Sequence, residues 1–117
     1  MSEITCDELS TRLGEVRVLD VRGRSEFDGS LGKSCDPRQG HIPGARHVEI
    51  SRLMQLTREE IQAALGLEPG DEVVAYCHSG SRSAVATQML RALGYDARNY
   101  VGSWHEWSRH DDLPIEG

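Results

Sequence analysis

Short apolar runs and alternating stretches along the chain indicate β-strands. Apolar runs rich in β-branched residues over residues 16–21 and 72–76 predict two strands, each followed by polar residues. An alternation of polar with apolar residues over 46–50 predicts a shorter strand, and residues 95–101 predict the last one. The stretches between these four segments follow a different period.

Helical patterns occupy most of the intervals between the predicted strands. Thr5 and Thr57 are each followed three residues later by a glutamate, which is the arrangement of a capping box at a helix start. Glycines follow three of the helical stretches at positions where they can end a helix. The sequence therefore predicts helices within residues 4–14 and 57–66, over residues 84–93 and, as a short final helix, over residues 102–107.

The alternation of strands and helices predicts an α/β fold. We expect a mostly parallel sheet of about five strands with helices on both faces, and a single domain over residues 1–117. In such sheets ligands bind at the carboxyl ends of the strands. Asp20 and Arg22 lie at the end of the first predicted strand, and Cys77 follows the third. We therefore expect these three side chains at one functional edge.

Composition and charge exclude several classes of protein. A net charge of −6 and the lack of a basic stripe argue against nucleic-acid binding. The start of the chain lacks the basic and apolar regions of a signal peptide, and no apolar run is long enough to span a membrane, so a cytoplasmic protein is expected. The three cysteines form no CxxC pair, and the spacing of histidines, cysteines and acids suggests neither a disulfide framework nor a metal site.

The residues after the third predicted strand carry the clearest chemical signal. Cys77 begins a loop that is rich in glycine and serine and leads into a predicted helix, so that backbone N–H groups and the helix N-terminus can converge on one point. Such a point lowers the pKa of a thiol and holds an anion. Further donors are offered by the remaining loop residues, His78, Ser79, Gly80, Ser81, Arg82 and Ser83. The loop predicts a nucleophilic cysteine in an anion cradle rather than a buried structural thiol.

The chain resembles the rhodanese-type sulfurtransferases in the order of its motifs. These motifs are Leu19-Asp20-Val21-Arg22, Glu26-Phe27, Gly40-His41-Ile42-Pro43-Gly44-Ala45 and the loop that begins at Cys77. Residues 29–37 and 101–107 are further similar to the catalytic half of the two-domain thiosulfate and mercaptopyruvate sulfurtransferases. The resemblance implies that Cys77 attacks a small anionic sulfur donor, becomes a persulfide and passes sulfur to cyanide, a thiol or a protein acceptor. It implies no cofactor.

Other residues of these motifs have open or supporting roles. Arg22 either contacts substrate or braces the edge by pairing with Asp20 or Glu26. Asp20 is expected to fix the edge through hydrogen bonds, and His41 to pack and hydrogen-bond within its turn. Two further positions have alternative roles. His78 either lowers the thiol pKa or faces solvent, and Cys35, in the polar loop of residues 28–40, is either a resolving thiol or idle.

The spacing between Cys77 and Arg82 separates the possible reactions. Four residues lie between them, one fewer than in the cysteine phosphatases that share the fold, and a smaller cradle favours attack on sulfur over phosphatase or arsenate reductase activity. The cation at Arg82 favours thiosulfate over mercaptopyruvate as the donor. A persulfide carrier or regulatory module with a dedicated protein partner is the other alternative. The sequence leaves the physiological donor, the acceptor and the oligomeric state open.

Overall fold

A parallel sheet of four strands forms the centre of the molecule. The computed structural model describes residues 3–31 and 34–117. The sheet has the order β2-β1-β3-β4, and each neighbouring pair is parallel. Its strands are β1 (Arg17–Asp20), β2 (Arg46–His47), β3 (Glu72–Tyr76) and β4 (Asp96–Asn99). The expected α/β fold is confirmed with four strands, and Glu3 adds a single parallel bridge to Asn99 beside β4.

Six helices connect and cover these strands in the described part of the chain. They are α1 (Cys6–Thr11), α2 (Arg24–Asp28), α3 (Ile50–Leu53), α4 (Arg58–Leu65), α5 (Ser81–Ala92) and α6 (Ser103–Trp107). None of these helices is both long enough and apolar enough to span a membrane. The predicted loop of residues 28–40 holds no helix or strand after Asp28 in its described part, and its residues 32 and 33 lie outside the described residues.

The capping signals locate one helix well and another only in part. At α4 the Thr57 hydroxyl accepts from the Glu60 N–H, the Glu60 carboxylate accepts from the Thr57 N–H, and Gly66 ends the helix at a φ of 67°. At α1 Thr5 caps the Glu8 N–H, but the Glu8 carboxylate pairs with Arg98 instead of returning to the cap. A tertiary ion pair therefore replaces one of the two hydrogen bonds of the capping box predicted at Thr5.

Several element boundaries differ from the sequence predictions. β2 ends at His47 rather than residue 50, because Ile50 begins α3. The helix α2 was not predicted, because its five residues are too few to show a helical period. α5 begins at Ser81, three residues before the predicted start, so that Ser81–Ser83 lie in its first turn.

An apolar cluster lies on each face of the sheet, because successive strand residues point to opposite faces. One cluster joins the sheet to α3, α4 and α5, and its members from those helices are Leu53, Ile61, Leu65, Ala86 and Leu90. The other cluster joins it to α1 and α6, and includes Leu9, Trp104 and Trp107. Helices therefore cover both faces, as expected, and the two tryptophans are core residues with no exposed surface.

Candidate active site

The carboxyl ends of β1 and β3 place the predicted site residues at one edge. Asp20 is paired in register with Tyr76, so Arg22 and Cys77 follow directly from adjacent strands. The start of the loop is held from α6, where the Cys77 N–H donates to Ser103 Oγ at 3.0 Å and the Cys77 carbonyl accepts from the Trp104 N–H at 2.9 Å. These bonds fix the backbone of Cys77 on both sides.

Hydrogen bonds converge on the sulfur of Cys77. The Gly80 N–H donates to Sγ at 3.1 Å, and the Ser83 hydroxyl donates to it at 3.4 Å. Burial acts to raise the pKa of the thiol, but the Ser83 hydroxyl together with the N–H groups of Ser83, Gly80 and Ser79 outweighs burial and leaves the pKa below its ordinary value. The loop therefore stabilises a thiolate.

Cys77 is nevertheless fully buried, with 0% of its surface exposed, and it belongs to the apolar cluster beneath α5. Burial is what a structural cysteine would show, whereas donors directed at the sulfur are what a nucleophile requires. Since no part of the thiol is exposed, residues of the loop must part before another molecule can contact the sulfur.

Gly80 gives the loop its tight turn. Its φ is 95°, in the left-handed region, and a Cβ at this position would lie 2.6 Å from the Val101 carbonyl oxygen. Asn99 donates from Nδ2 to the Gly80 carbonyl at 3.2 Å and so pins the same residue. Only glycine can direct its N–H at the sulfur of Cys77 from this backbone conformation.

Arg82, the predicted anion-binding residue, lies in the first turn of α5 and is paired with Glu26 of α2. The Nη1–Oε1 distance is 3.2 Å, and 35% of the arginine side chain is exposed. Burial acts to raise the pKa of Glu26, but the Arg82 pair and a 3.1 Å bond from the Gly23 N–H leave that pKa lowered. An anion bound by Arg82 must therefore share the guanidinium with Glu26 or displace it.

Asp20 and Arg22 form a buried pair behind the loop. The Asp20 carboxylate accepts from Nε and Nη2 of Arg22, the latter at 2.7 Å, and Nη2 also donates to the Gly40 carbonyl at 2.7 Å. The guanidinium carbon lies 5.5 Å from the ring centre of Tyr76 and 5.0 Å from that of Trp104. Arg22 is 1% exposed. The sequence leaves two roles open for Arg22, and this geometry supports the one in which Arg22 pairs with Asp20 and stabilises the edge of the sheet.

His78 lies against the polar loop rather than in solvent. Its Nε2 is 3.0 Å from the buried carboxylate of Asp36, which also accepts from Arg109 Nη1 at 3.1 Å. Only 15% of the His78 side chain is exposed, so of its two alternatives this geometry does not favour the solvent-facing one. Cys35 is exposed beside this cluster, with its Sγ 3.9 Å from Asp36 Oδ1.

The remaining predicted residues are not brought to the sulfur through their side chains. Ser79 and Ser81 are exposed, and of these two only the Ser79 N–H acts on the thiol. His41 stacks on Phe27 with ring centres 3.8 Å apart and bonds the Phe27 carbonyl through Nδ1 at 2.7 Å. Its Nε2 lies 3.5 Å from Glu116. The turn at His41 is thus held by packing and hydrogen bonds.

The parallel sheet with a cysteine loop between β3 and α5 agrees with a known family. Residues 5–110 match the Rhodanese-like domain family. The chain belongs to this family. The fold is thereby identified as a rhodanese fold.

Two relatives of this rhodanese-like chain carry the name of a sulfurtransferase. It is 35% identical to the thiosulfate sulfurtransferase of Pseudomonas aeruginosa over 96% of the chain and 45% of the relative. It matches the crystal structure of a probable thiosulfate sulfurtransferase with a TM-score of 0.85 and 45% identity, over 99% of the chain and 48% of that protein. The chain therefore spans slightly less than half the length of these relatives.

A third match has a description that names an intermediate. The structure is described as a cysteine persulfide of EanB in a tetrahedral intermediate state with ergothioneine. The TM-score is 0.87 and the identity 25%, over 97% of this chain and 27% of that protein.

Sequence reasoning missed Glu26, Asp36 and Arg109 as neighbours of the rhodanese loop. The sequence indicated Glu26 only as a motif residue and an alternative partner of Arg22, whereas its partner in the structure, Arg82, is 56 residues away in the chain. Asp36 and His78 are 42 residues apart, and Asp36 and Arg109 are 73 apart. No local pattern could indicate these pairs.

Proposed function

We propose that the chain is a sulfurtransferase that moves a sulfane sulfur from thiosulfate to a thiophilic acceptor through a persulfide on Cys77. One observation carries the proposal. The Cys77 sulfur accepts hydrogen bonds from the Gly80 N–H and the Ser83 hydroxyl, which lower its pKa and supply a nucleophilic thiolate. The names of the relatives support thiosulfate as the donor.

In the first half of the reaction the Cys77 thiolate attacks the outer sulfur of thiosulfate. A bond forms between the two sulfurs, the S–S bond of thiosulfate breaks, and sulfite leaves with the electron pair. Cys77 is left as a persulfide anion. The N–H groups of Ser79, Gly80 and Ser83 lower the pKa of the thiol, and we expect them to stabilise the charge of the persulfide in the same way.

In the second half an acceptor attacks the outer sulfur of the persulfide. Cyanide yields thiocyanate, and a thiolate yields a new persulfide. In either case the bond to Cys77 breaks and its thiolate is regenerated. No net oxidation or reduction of the protein occurs, so the cycle needs no cofactor.

The position and charge of Arg82 favour an anionic molecule as the sulfur donor. Its guanidinium lies in the first turn of the helix that follows Cys77 and is partly exposed, although paired with Glu26. Thiosulfate carries two negative charges and can compete with one carboxylate for this cation. The same positive charge is less well matched to mercaptopyruvate, which has a single negative charge.

Replacement of Cys77 tests the proposal. Cys77→Ser should abolish the formation of thiocyanate from thiosulfate and cyanide, while Cys35→Ser, which removes an exposed thiol outside the loop, should retain it. Thiocyanate formation by Cys77→Ser at the wild-type rate would refute the assignment. Turnover of aryl phosphates or arsenate without sulfur transfer would show that the loop serves phosphatase or arsenate reductase chemistry instead.

A second candidate function is that of a persulfide carrier with a dedicated protein partner. Cys77 has no exposed surface, so a protein that binds over the loop and opens it could take the sulfur directly. Stoichiometric transfer of labelled sulfur from Cys77 to a partner thiol, combined with negligible turnover of thiosulfate, would favour the carrier. Rapid turnover without a partner would exclude it.

A further inference from the structure

Three metal-ligating side chains meet away from Cys77. Cys6 begins α1, Glu106 lies in α6, and His110 follows α6. A sulfur of the first, a carboxylate oxygen of the second and a ring nitrogen of the third lie within 4.8 Å of one another. Sulfur transfer at Cys77 uses none of them. About a hundred residues of chain separate Cys6 from the other two.

We propose that Cys6, Glu106 and His110 bind a divalent transition-metal ion, with Zn²⁺ as the best-matched ion. Thiolate, imidazole and carboxylate are the ligand types that Zn²⁺ takes in proteins, and their borderline softness disfavours Mg²⁺ and Ca²⁺. Three protein ligands leave a fourth position for water in a tetrahedral site. Ligand atoms within 4.8 Å of one another need only small side-chain rotations to surround one ion.

The carboxylate of this triad is already oriented. The Tyr100 hydroxyl donates to Glu106 Oε1 at 2.7 Å, and the tyrosine is 1% exposed, with its ring edge-on to Trp107 at 6.1 Å. A hydrogen bond of this kind behind a ligating group fixes its direction and increases metal affinity. A Cβ at Gly102 would collide with the Glu106 carboxylate, so the glycine leaves the space that the carboxylate occupies.

The backbone around His110 is held as well. The Arg38 guanidinium donates to the His110 carbonyl at 2.5 Å and to three further carbonyls in this part of the chain, those of Trp107, Ser108 and Leu113. The His110 N–H donates to the Trp107 carbonyl at 3.2 Å. His110 is exposed, so its ring can turn toward Cys6 while the backbone stays fixed.

The surroundings of the triad are acidic and open. Glu106, Asp7 and Asp112 surround the Cys6 sulfur with negative charge, and the Tyr100 hydroxyl is hydrogen-bonded to the same sulfur. Among the described residues Glu106 forms no ion pair with a basic side chain. Cys6 and Glu106 also line a cleft of about 340 Å³. An ion bound here would supply the positive charge that these side chains lack.

A second triad provides a contrast. Cys35, Asp36 and His78 also bring ligand atoms within 4.8 Å of one another. In that cluster Asp36 is already paired with Arg109, at 3.1 Å, so a metal ion would meet a guanidinium at the same carboxylate. Cys35 is therefore the matched control for Cys6.

Titration with Co²⁺ tests the proposal, because a thiolate bound to Co²⁺ gives a charge-transfer absorption that identifies cysteine as a ligand. In reduced, metal-free wild-type protein we expect one Co²⁺ per chain with this absorption, displaced by Zn²⁺. Cys6→Ser should abolish the absorption, whereas Cys35→Ser and Cys77→Ser should retain it. The proposal would be overturned if the charge-transfer absorption were lost in Cys35→Ser and retained in Cys6→Ser. It would also be overturned if wild type showed no such absorption.

Two further variants separate ligation from folding. Glu106→Gln keeps the length of the side chain and an oxygen for the Tyr100 bond, and His110→Ala changes an exposed ring. Each should weaken Co²⁺ binding at least tenfold while the metal-free thermal midpoint stays near that of wild type. His105→Ala, which removes a neighbouring histidine outside the triad, should bind as wild type does. Equal affinity in wild type and His110→Ala would contradict the site.

Discussion

Removal of the Ser83 hydroxyl should raise the pKa of Cys77. The hydroxyl donates to the Cys77 sulfur at 3.4 Å and is the only side-chain group that lowers this pKa among the principal contributors. A hydrogen bond to a charged group contributes about 1.5–3 kcal/mol. The bond to the large sulfur atom is long, so the lower end applies. Since one pKa unit corresponds to about 1.4 kcal/mol, Ser83→Ala should raise the pKa by about one unit.

The rate of alkylation by iodoacetamide as a function of pH measures this change. Only the thiolate reacts, and the wild-type pKa is lowered, so the rate should reach its plateau below the ordinary titration range of a thiol and fall as the pH drops through the lowered pKa. The Ser83→Ala profile should lie about one unit higher, with a rate about tenfold lower at a pH below both pKa values.

The exposed hydroxyl of Ser81 supplies the control for this experiment. It belongs to the same turn of α5, but it is not among the groups that lower the pKa of Cys77. Ser81→Ala should leave the profile unchanged. An unshifted profile for Ser83→Ala, or an equal shift in both variants, would refute the reasoning that the Ser83 hydroxyl stabilises the thiolate.

Three further predictions concern the cradle and its support. Arg82→Ala should raise KM for thiosulfate about tenfold with little change in kcat, since one charge-assisted hydrogen bond is lost; an unchanged KM would place the anion elsewhere. Asp20→Asn should lower the free energy of unfolding in urea by about 3–5 kcal/mol because it leaves a buried guanidinium unpaired. Arg12→Ala, which removes a partly exposed ion pair, should lower it by about 1 kcal/mol or less. Equal losses of stability in the two variants would contradict this prediction. Gly80→Ala should lower the free energy of unfolding by more than about 1 kcal/mol, because the φ of Gly80 is 95°. It should also slow the alkylation of Cys77. Wild-type stability and wild-type reactivity in this variant would contradict the prediction.

The elements that local signals specify were predictable from the sequence. The apolar run of residues 72–76, the glycine and serine loop and the helical spacing after it gave β3, the Cys77 loop and α5. The capping box at Thr57 gave α4. In each case the deciding contacts lie within a few residues of one another, so the pattern and the structure report the same interactions.

Features that depend on distant residues were not predictable in this way. α2 spans only five residues, and its Glu26 finds its role through Arg82 on another helix. The Cys6 triad is assembled by α1 and α6 from opposite ends of the chain. The spacing of histidines, cysteines and acids along the sequence therefore gave no sign of a metal site, because spacing reports only ligands that are close in sequence.

The mass of the intact protein after treatment with thiosulfate tests the central claim most directly. We expect wild type to gain one sulfur atom, located by peptide mapping on the fragment with Cys77, and to lose it on addition of cyanide. Cys6→Ser and Cys35→Ser should gain the same mass, and Cys77→Ser should not. An unchanged wild-type mass, or sulfur found on Cys6 or Cys35 instead of Cys77, would contradict sulfur transfer through a Cys77 persulfide.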